Sequence, residues 1–187
     1  MNQILETIKN RRSVRKYAPQ PLAQEHLDAI LEAAVWAPSA HNDQGWHFTV
    51  LLNKELMDAL SEDIKAALLN SPLDWAAAMG RNAHFHVFYG APAVVVVSGR
   101  KDALSPLVDC SAAIQNMLLA AESVGVGSCW IGLSRFLFAL PDAHEKWAQK
   151  LALPPGHAMN FCVALGYKNG IAPKPPARRE AAVNYID

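Results

Sequence analysis

The sequence is poor in the features that assign many chains to a broad class. Its 187 residues carry 17 basic and 17 acidic side chains, so the formal net charge is zero. A nucleic-acid binder is more often basic overall or along one face. The three cysteines, Cys110, Cys129 and Cys162, form no C-x-x-C motif. We therefore expect reduced, buried thiols in a cytoplasmic protein that does not bind nucleic acid.

Long apolar runs and common catalytic motifs are also missing. The segment MNQILETIKN has no apolar stretch of the signal-peptide type, and polar side chains interrupt residues 112–126, so no membrane span is predicted. There is no G-x-G-x-x-G, no G-x-x-x-x-G-K-[ST] and no G-x-S-x-G. His84 and His86 are predicted to share one face of a strand, but two histidines without a third ligand predict no metal site.

Positive charge is concentrated near the two ends of the chain. Residues 9–16 contain five basic side chains and residues 168–179 contain four, in both cases without an acid, whereas residues 17–167 contain 14 acids and eight bases. Cations at a helix end would stabilise it by about 0.3–1 kcal/mol each, which accounts for Arg11 but not for Arg15. A bound phosphate accounts for the first cluster more fully, because arginine can bind phosphate oxygens through two hydrogen bonds.

A second polar stretch, APSAHNDQGW at 37–46, lies between a predicted helix and a predicted strand. The side chains of Asn42 and Gln44 each offer one acceptor and two donors, which suits a flat heterocycle. Ser39 and Asp43 are also typical of turns and caps. Phosphate and amide ligands without an evident acid, base or nucleophile indicate that a bound cofactor supplies the chemistry.

Hydrophobic periodicity and turn residues predict an α+β chain. We expect one domain over 1–187, with an extended C-terminal arm at 170–187 that lies on another surface. The predicted helices are at 2–10, 23–37, 54–69, 73–80, 105–124 and 142–151, and the predicted strands are at 46–52, 94–97, 125–132 and 157–167.

The helix predicted at 105–124 is apolar on nearly all sides, so it should be central or lie in a subunit interface. Ser105 is expected to cap its first turn. Asp109 and Glu122 lie on this mostly apolar helix, and buried or interface pairing is the usual reason for such acids.

Four stretches of the chain together resemble the nitroreductase family of FMN-dependent oxidoreductases. They are RRSVRKY, APSAHNDQGWHF, FYGAPAVVVVS and DCSAAIQNMLLAAESVGVGSCWIG, in the family's order and over nearly the whole chain. The resemblance implies a nitroreductase-like fold with a central mixed β-sheet flanked by helices, in an intertwined homodimer with FMN at the subunit interface. It also implies ping-pong chemistry, in which hydride passes from NADH or NADPH to flavin N5 and electrons pass on to a nitroaromatic, quinone or similar electron-poor acceptor.

The resemblance further assigns FMN contacts to residues of this chain. The phosphate and the ribityl and pyrimidine side would be held by Arg11, Arg12, Ser13 and Arg15. The loop of the other subunit would contribute Pro38, Ser39, Ala40, Asn42 and Gln44. The flavin ring edge would lie against Trp130, Ile131, Gly132 and Leu133. The tail would complete the phosphate site through Lys174 and through Arg178 or Arg179. No side chain is assigned a catalytic step, and Arg15 would support negative charge on the reduced flavin electrostatically.

Two departures from the family pattern affect these assignments. Gly45 stands where the family usually has proline, which would loosen the loop, and the tail contains KPPARRE instead of K-x-R. His41 in the same loop would either face a substrate or lie in solvent. The segment 54–89 would cover the pocket as an apolar lid, whose large side chains are Trp75, Met79, Phe85 and Phe88.

Several alternatives stay open from the sequence. Relatives with the same fold carry out dehalogenation, flavin destruction for cofactor synthesis, or ring dehydrogenation. A non-catalytic flavin-binding or regulatory dimer is a different class of protein. So is a helical interaction module whose basic clusters are only surface charge.

Overall fold

Seven α-helices and four strands form from the residues that the computed structural model describes, which are 2–170, 174–179 and 183–186. The helices are α1 (Gln3–Asn10), α2 (Gln24–Val35), α3 (Lys54–Leu69), α4 (Asp74–Arg81), α5 (Pro106–Ser123), α6 (Ser134–Phe138) and α7 (Pro141–Lys150). The strands are β1 (Trp46–Leu51), β2 (Ala93–Arg100), β3 (Val126–Ile131) and β4 (His157–Tyr167). None of the described helices combines the length and the apolar character that a membrane span requires.

The four strands form one antiparallel sheet in the order β1-β2-β4-β3. The α+β class is confirmed, but within the described residues the only parallel pairing of the expected mixed sheet is an isolated bridge between Ser13 and Ser128. The continuous apolar run Val94–Val97 results from burial on both faces of the sheet. Alternate valines pack against α3 on one face and against α2 and α5 on the other.

Helices α3, α6 and α7 cover one face of the sheet, and α2 and α5 cover the other. Trp147 ties α7 to α3, because its buried indole N–H donates to Asp63 at 2.9 Å. Ile114 and Met117 of α5 are fully buried in the opposite layer, where each such side chain contributes about 1.5–3 kcal/mol of transfer free energy. The sheet is thus fixed between two cores and can position its edges accurately.

Residues 82–90 form successive turns, so the predicted strand with His84 and His86 on one face is wrong. The N–H of Tyr89 donates to the His86 carbonyl at 2.9 Å, which keeps that part of the backbone out of a sheet. Phe88, expected in an apolar lid, is instead fully buried in the core. The lid prediction therefore fails for this side chain.

Helix α5 is central to its layer, in agreement with its sequence. The side chain of Ser105 makes no capping hydrogen bond, so that prediction is wrong; its carbonyl accepts from the Asp109 N–H at 2.9 Å. Glu122 pairs with Lys168 at 2.9 Å, which confirms the expected pairing of this acid.

The apolar side chains of α1 face solvent in the single subunit. Ile4, Leu5 and Ile8 are 67%, 50% and 46% exposed, and no residue of α1 is buried. A groove of about 370 Å³ lies between α1, α2 and α5. An amphipathic helix with its apolar side exposed is typical of a surface that packs against another chain.

Candidate functional site

The chain after α1 runs along the edge strand β3 and carries the first group of basic residues to it. The Val14 N–H donates to the Ser128 carbonyl at 2.9 Å, next to the bridge between Ser13 and Ser128. Tyr17 then pairs with Lys168, just after the end of β4. The C-terminal arm therefore begins beside the first basic stretch.

Two glycines let this segment lie directly on the sheet. Gly127 of β3 and Gly166 of β4 are cross-strand partners. A Cβ atom on Gly127 would lie 2.9 Å from Val14 Cγ1. One on Gly166 would lie 2.6 Å from Pro92 Cδ and 2.9 Å from Tyr17 Cδ1. Glycine is needed here for close approach of the backbone.

Arg11, Ser13 and Arg15, which we call the edge cluster, converge on Cys129. Burial raises the pKa of the Cys129 thiol, while the charge of Arg15, a hydrogen bond with Ser13 and the charge of Arg11 lower it. All three residues thus lie close enough to act on one sulfur atom. Two cations beside a hydroxyl group form a surface that suits an anion.

Arg12 points away from the edge cluster. Its guanidinium donates to the carbonyl of Lys9 at 2.6 Å and to that of Arg11, and only 8% of the residue is exposed. Arg12 therefore caps the last carbonyls of α1. Its Nε is buried without a hydrogen-bond partner in the described part of the chain.

Tyr89, to which the sequence assigned no role, contacts Arg15. The Arg15 Nε donates to the Tyr89 hydroxyl oxygen at 3.3 Å, and the guanidinium carbon lies 5.6 Å from the ring centroid. Burial lowers the pKa of Arg15 and the Tyr89 hydrogen bond raises it, with a net increase, so Arg15 stays cationic. The two residues are 74 positions apart, and the only sequence signal was the place of Tyr89 within FYGAP.

The residues assigned to the flavin ring edge continue along the same strand. Ile131 is buried, and Trp130 is half-buried with its ring edge-on to Phe161, the centroids 5.0 Å apart. A Cβ atom on Gly132 would meet nothing within 4 Å, so its backbone is open to a ligand. Ser128 and Gly132 are about 13 Å apart along an extended strand, which fits an elongated ligand.

Residues 38–44, which we call the amide loop, have an unusual backbone. His41, Asn42 and Gln44 have φ values of 52°, 55° and 50°. Such conformations cost non-glycine residues about 1–3 kcal/mol each and are frequent at functional sites. The Gln44 N–H donates to Ser39 Oγ at 3.0 Å, and the Gln44 side chain donates to Asn42 Oδ1 at 3.0 Å. Both amides and His41 are exposed.

Two acids hold the amide loop against the rest of the subunit. Asp109 Oδ1 accepts from the Ala40 N–H at 3.1 Å, and Asp43 pairs with Arg100 at 2.8 Å. Gly45 is buried, and its carbonyl accepts from the Arg100 N–H at 2.8 Å. A Cβ atom on Gly45 would lie 3.1 Å from Asp43 Oδ2. Glycine at this position thus allows the backbone to pack closely beside Asp43.

The amide loop and the edge cluster lie at opposite edges of the sheet. The loop leads into β1 and the cluster lies beside β3, and two strands separate them, a distance of about 14 Å. The two groups are also displaced along the strands. Trp46 lies level with Ala158 of β4, whereas Ser128 lies level with Leu165 of β4, and these two positions of β4 are about 23 Å apart. One subunit therefore does not bring the two groups of residues to the same place.

The C-terminal arm is only partly described. Lys174, Arg178 and Arg179 are exposed. Residues 171–173, 180–182 and 187 of the arm predicted at 170–187 lie outside the described residues.

Within the described residues, the site offers binding groups and no activated thiol, because burial leaves the pKa of Cys129 above its ordinary value. Burial raises the pKa of Cys110 to about 11 and that of Cys162 to about 12, so both thiols are neutral near pH 7. The described residues contain no group of three side chains that could hold a metal ion. Cations, amides and open backbone can bind and orient a charged, planar ligand.

Known proteins are similar to this chain in sequence and fold over most of their length. A model of the nitroreductase family matches residues 8–167. A crystal structure of a nitroreductase with bound FMN from Bacteroides fragilis superposes with a TM-score of 0.89, 36% identity and 100% coverage of both chains. An Archaeoglobus fulgidus protein with the provisional name NADH dehydrogenase/NAD(P)H nitroreductase is 33% identical over 171 residues, 89% of this chain and 86% of that one. The FMN reductase (NAD(P)H) of Bacillus subtilis is 28% identical over 193 residues, 99% of this chain and 74% of the reductase.

Proposed function

The chain belongs to the nitroreductase family, and we propose that it carries electrons from NADH or NADPH, by way of FMN, to a nitroaromatic, quinone or similar electron-poor acceptor. It is an FMN-dependent NAD(P)H oxidoreductase. Bound FMN would supply the hydride chemistry at its N5 atom. We propose a ping-pong order, in which the oxidised nicotinamide leaves before the acceptor binds.

The edge cluster is the observation that carries this function. Within the described residues, neither Arg11 nor Arg15 has a carboxylate partner. Two neighbouring cations without an acid repel each other unless an anion binds between them. The phosphate of FMN fits that requirement, and the open backbone at Gly132 fits the ring of the same molecule.

Each group in the site would have a separate task. Arg11 and Ser13 would hold the phosphate, and Arg12 would act by fixing the end of α1. Arg15 would place its charge at the pyrimidine side of the cofactor, where it favours the more negative, reduced form. Lys174 and Arg178 or Arg179 would add charge to the phosphate site from the arm.

The proposed assembly is a homodimer, because a single subunit holds the two parts of the site at opposite edges of its sheet. In a two-fold pair, the amide loop of one subunit would face the edge cluster of the other. The exposed stripe of α1 and the groove beside α5 would supply apolar contact area. Residues 1–187 would form one domain, with 170–187 as an arm.

The visible absorption spectrum of the purified protein tests the function directly. We expect flavin bands that bleach when NADH or NADPH is added without oxygen, and that return when a nitroaromatic or a quinone is added. Flavin bands that persist with both nicotinamides would favour a non-catalytic flavin protein. A colourless protein that takes up no added FMN would contradict the cofactor assignment.

A further inference from the structure

Tyr89 has a backbone conformation that side chains rarely adopt. Its φ is 56°, in the left-handed region where a bulky residue is a genuine outlier. Such a conformation persists only where neighbouring groups hold it, and it is enriched at functional sites. The backbone of Tyr89 is therefore a candidate functional feature of the fold.

His86 holds the turn that contains Tyr89. The Nδ1 atom of His86 accepts hydrogen bonds from the N–H of Phe88 at 3.1 Å and from that of Gly90 at 3.4 Å. An accepting Nδ1 leaves the ring proton on Nε2, which lies 3.3 Å from Asp58 Oδ1. Both ring nitrogens are thus used to fix this turn.

The turn places the Tyr89 side chain against Arg15. The hydroxyl oxygen accepts from Arg15 Nε at 3.3 Å, and the guanidinium lies 5.6 Å from the ring centroid. Phe85 packs edge-on against the Tyr89 ring, with centroids 5.9 Å apart. Arg15 is otherwise exposed, so without this contact its long side chain would sample many directions.

The contact also determines which arginine atoms remain for a ligand. In the described part of the chain, Tyr89 is the hydrogen-bond partner of Arg15, and it occupies Nε. The two terminal nitrogens of the guanidinium stay available to hydrogen-bond a ligand, and the bond at Nε fixes the position of the group that carries them. A planar guanidinium anchored at Nε presents those donors in a defined plane.

We propose that Tyr89 is a positioning residue that holds the Arg15 guanidinium toward the pyrimidine side of FMN. Held there, the cation stabilises reduced FMN more than oxidised FMN, because the reduced form carries more negative charge at that side. The inference rests on the proposed function, since it assumes that FMN binds at the edge cluster.

A double-mutant cycle tests whether Tyr89 acts through Arg15. The variants are Tyr89→Phe, Arg15→Ala and the combination of both. Tyr167→Phe is the matched control, because it also loses a hydroxyl, one that contacts the Ala23 N–H at 3.3 Å and His26 at 3.0 Å. The measurements are the dissociation constant of oxidised FMN, by fluorescence titration of the apoprotein, and the midpoint potential of bound FMN.

We expect Tyr89→Phe to weaken the binding of reduced FMN about tenfold more than that of oxidised FMN. For a two-electron couple this lowers the potential by about 30 mV. In the Arg15→Ala background the same substitution should change the potential little, and Tyr167→Phe should leave it unchanged. Tyr89→Asn is a second variant if Tyr89→Phe fails to fold, because asparagine tolerates a positive φ.

Two results would overturn the inference and leave the proposed function standing. One is an unchanged potential in Tyr89→Phe while Arg15→Ala lowers it. The other is an equal effect of Tyr89→Phe with and without Arg15. If the first result came with a lower melting temperature, it would show that Tyr89 only stabilises the fold. Failure of the wild-type protein to bind FMN would instead remove the proposed function itself.

Discussion

Asp109 is a buried acidic residue whose side chain has one hydrogen bond among the described residues. It is 5% exposed, its Oδ1 accepts from the Ala40 N–H, and its Oδ2 has no partner within the described residues. Burying a carboxyl group with one oxygen unpaired is costly, while the hydrogen bond fixes the start of the amide loop. Substitutions at this position can separate the two contributions.

We expect Asp109→Ala to be less stable than Asp109→Asn by about 1–3 kcal/mol, because only asparagine keeps an acceptor for the Ala40 N–H. The free energies of unfolding in urea measure this difference. The same pair of substitutions at the exposed Asp74 is the control, and there the two variants should agree within about 0.5 kcal/mol. Equal stabilities of the two Asp109 variants would show that the hydrogen bond does not hold the loop.

His144 should make the stability of the protein depend on pH. Its Nε2 accepts from the Met159 N–H at 3.4 Å, and burial together with the charge of Lys101 lowers its pKa. The unfolded chain then takes up a proton before the folded protein does. The free energy of unfolding should therefore fall as the pH drops below about 6.5 and continue to fall through the lower pKa of the folded state.

His144→Gln keeps an acceptor but removes this titration, so its stability should change less between about pH 7 and pH 5. Some dependence should remain, because burial and His157 also lower the pKa of His47. Urea unfolding at several pH values measures the slope, with His84→Gln at an exposed position as the control. Identical slopes for the wild type and His144→Gln would exclude this role.

Among the structural elements, the paired glycines of β3 and β4 have the most direct link to the site. Gly166→Ala would place a methyl group 2.6 Å from Pro92 Cδ and 2.9 Å from Tyr17 Cδ1. Overpacking of this kind costs about 1–3 kcal/mol. The displaced segment also carries Ser13 and Arg15, so FMN uptake should fall together with stability.

Thermal unfolding and FMN titration of Gly166→Ala measure the two effects. Gly132→Ala is the matched control for stability, because its Cβ would meet nothing within 4 Å and its φ is not positive. Its unfolding free energy should stay within about 0.5 kcal/mol of the wild type. A Gly166→Ala protein as stable as this control would mean that the segment adjusts without cost.

Elements with a strong local pattern were predictable from the sequence. The bounds predicted for α3, 54–69, and for β4, 157–167, are those of the structure, because a long apolar pattern ends at polar or turn residues on both sides. Helix α6 was missed because its five residues, Ser134–Phe138, are too short for a helical period. The turns at 82–90 were mistaken for a strand because alternating aromatic and polar residues also suit β-structure.

In the candidate site, too, the features with a local sequence pattern were predictable and the long-range contacts were not. The arginines of the edge cluster and the amides at Asn42 and Gln44 are visible in the sequence, because each group lies within one short stretch. The contact between Arg15 and Tyr89 joins residues 74 positions apart, and no local pattern reports such a pairing. The direction of Arg12 depends on where α1 ends, so it also required the structure.

The quaternary arrangement can be tested through α1. Ile4→Lys puts a charge on an apolar stripe that is exposed in the single subunit, and burying that charge in an interface would be costly. We expect sedimentation velocity to show monomers and the variant to lose FMN in parallel. Leu140→Lys, at another exposed apolar position, is the control and should remain dimeric with FMN bound.

A dimeric Ile4→Lys protein would show that this stripe is not in the interface. A monomer that still holds FMN as tightly as the wild type would contradict the shared site. If the proposed shared site is correct, the variant loses the dimer and the bound FMN together, because the amide loop and the edge cluster lie at opposite edges of one subunit.

In the proposed homodimer, that opposite placement would make activity a property of the pair of subunits, so two defective proteins could complement each other. A subunit with Arg15→Ala and a subunit with Gln44→Ala would each form weakened homodimers. A mixed dimer would contain one site with both defects and one site with neither. Unfolding and refolding the two variants together in equal amounts should restore about a quarter of the wild-type sites, although neither variant contributes an intact site alone.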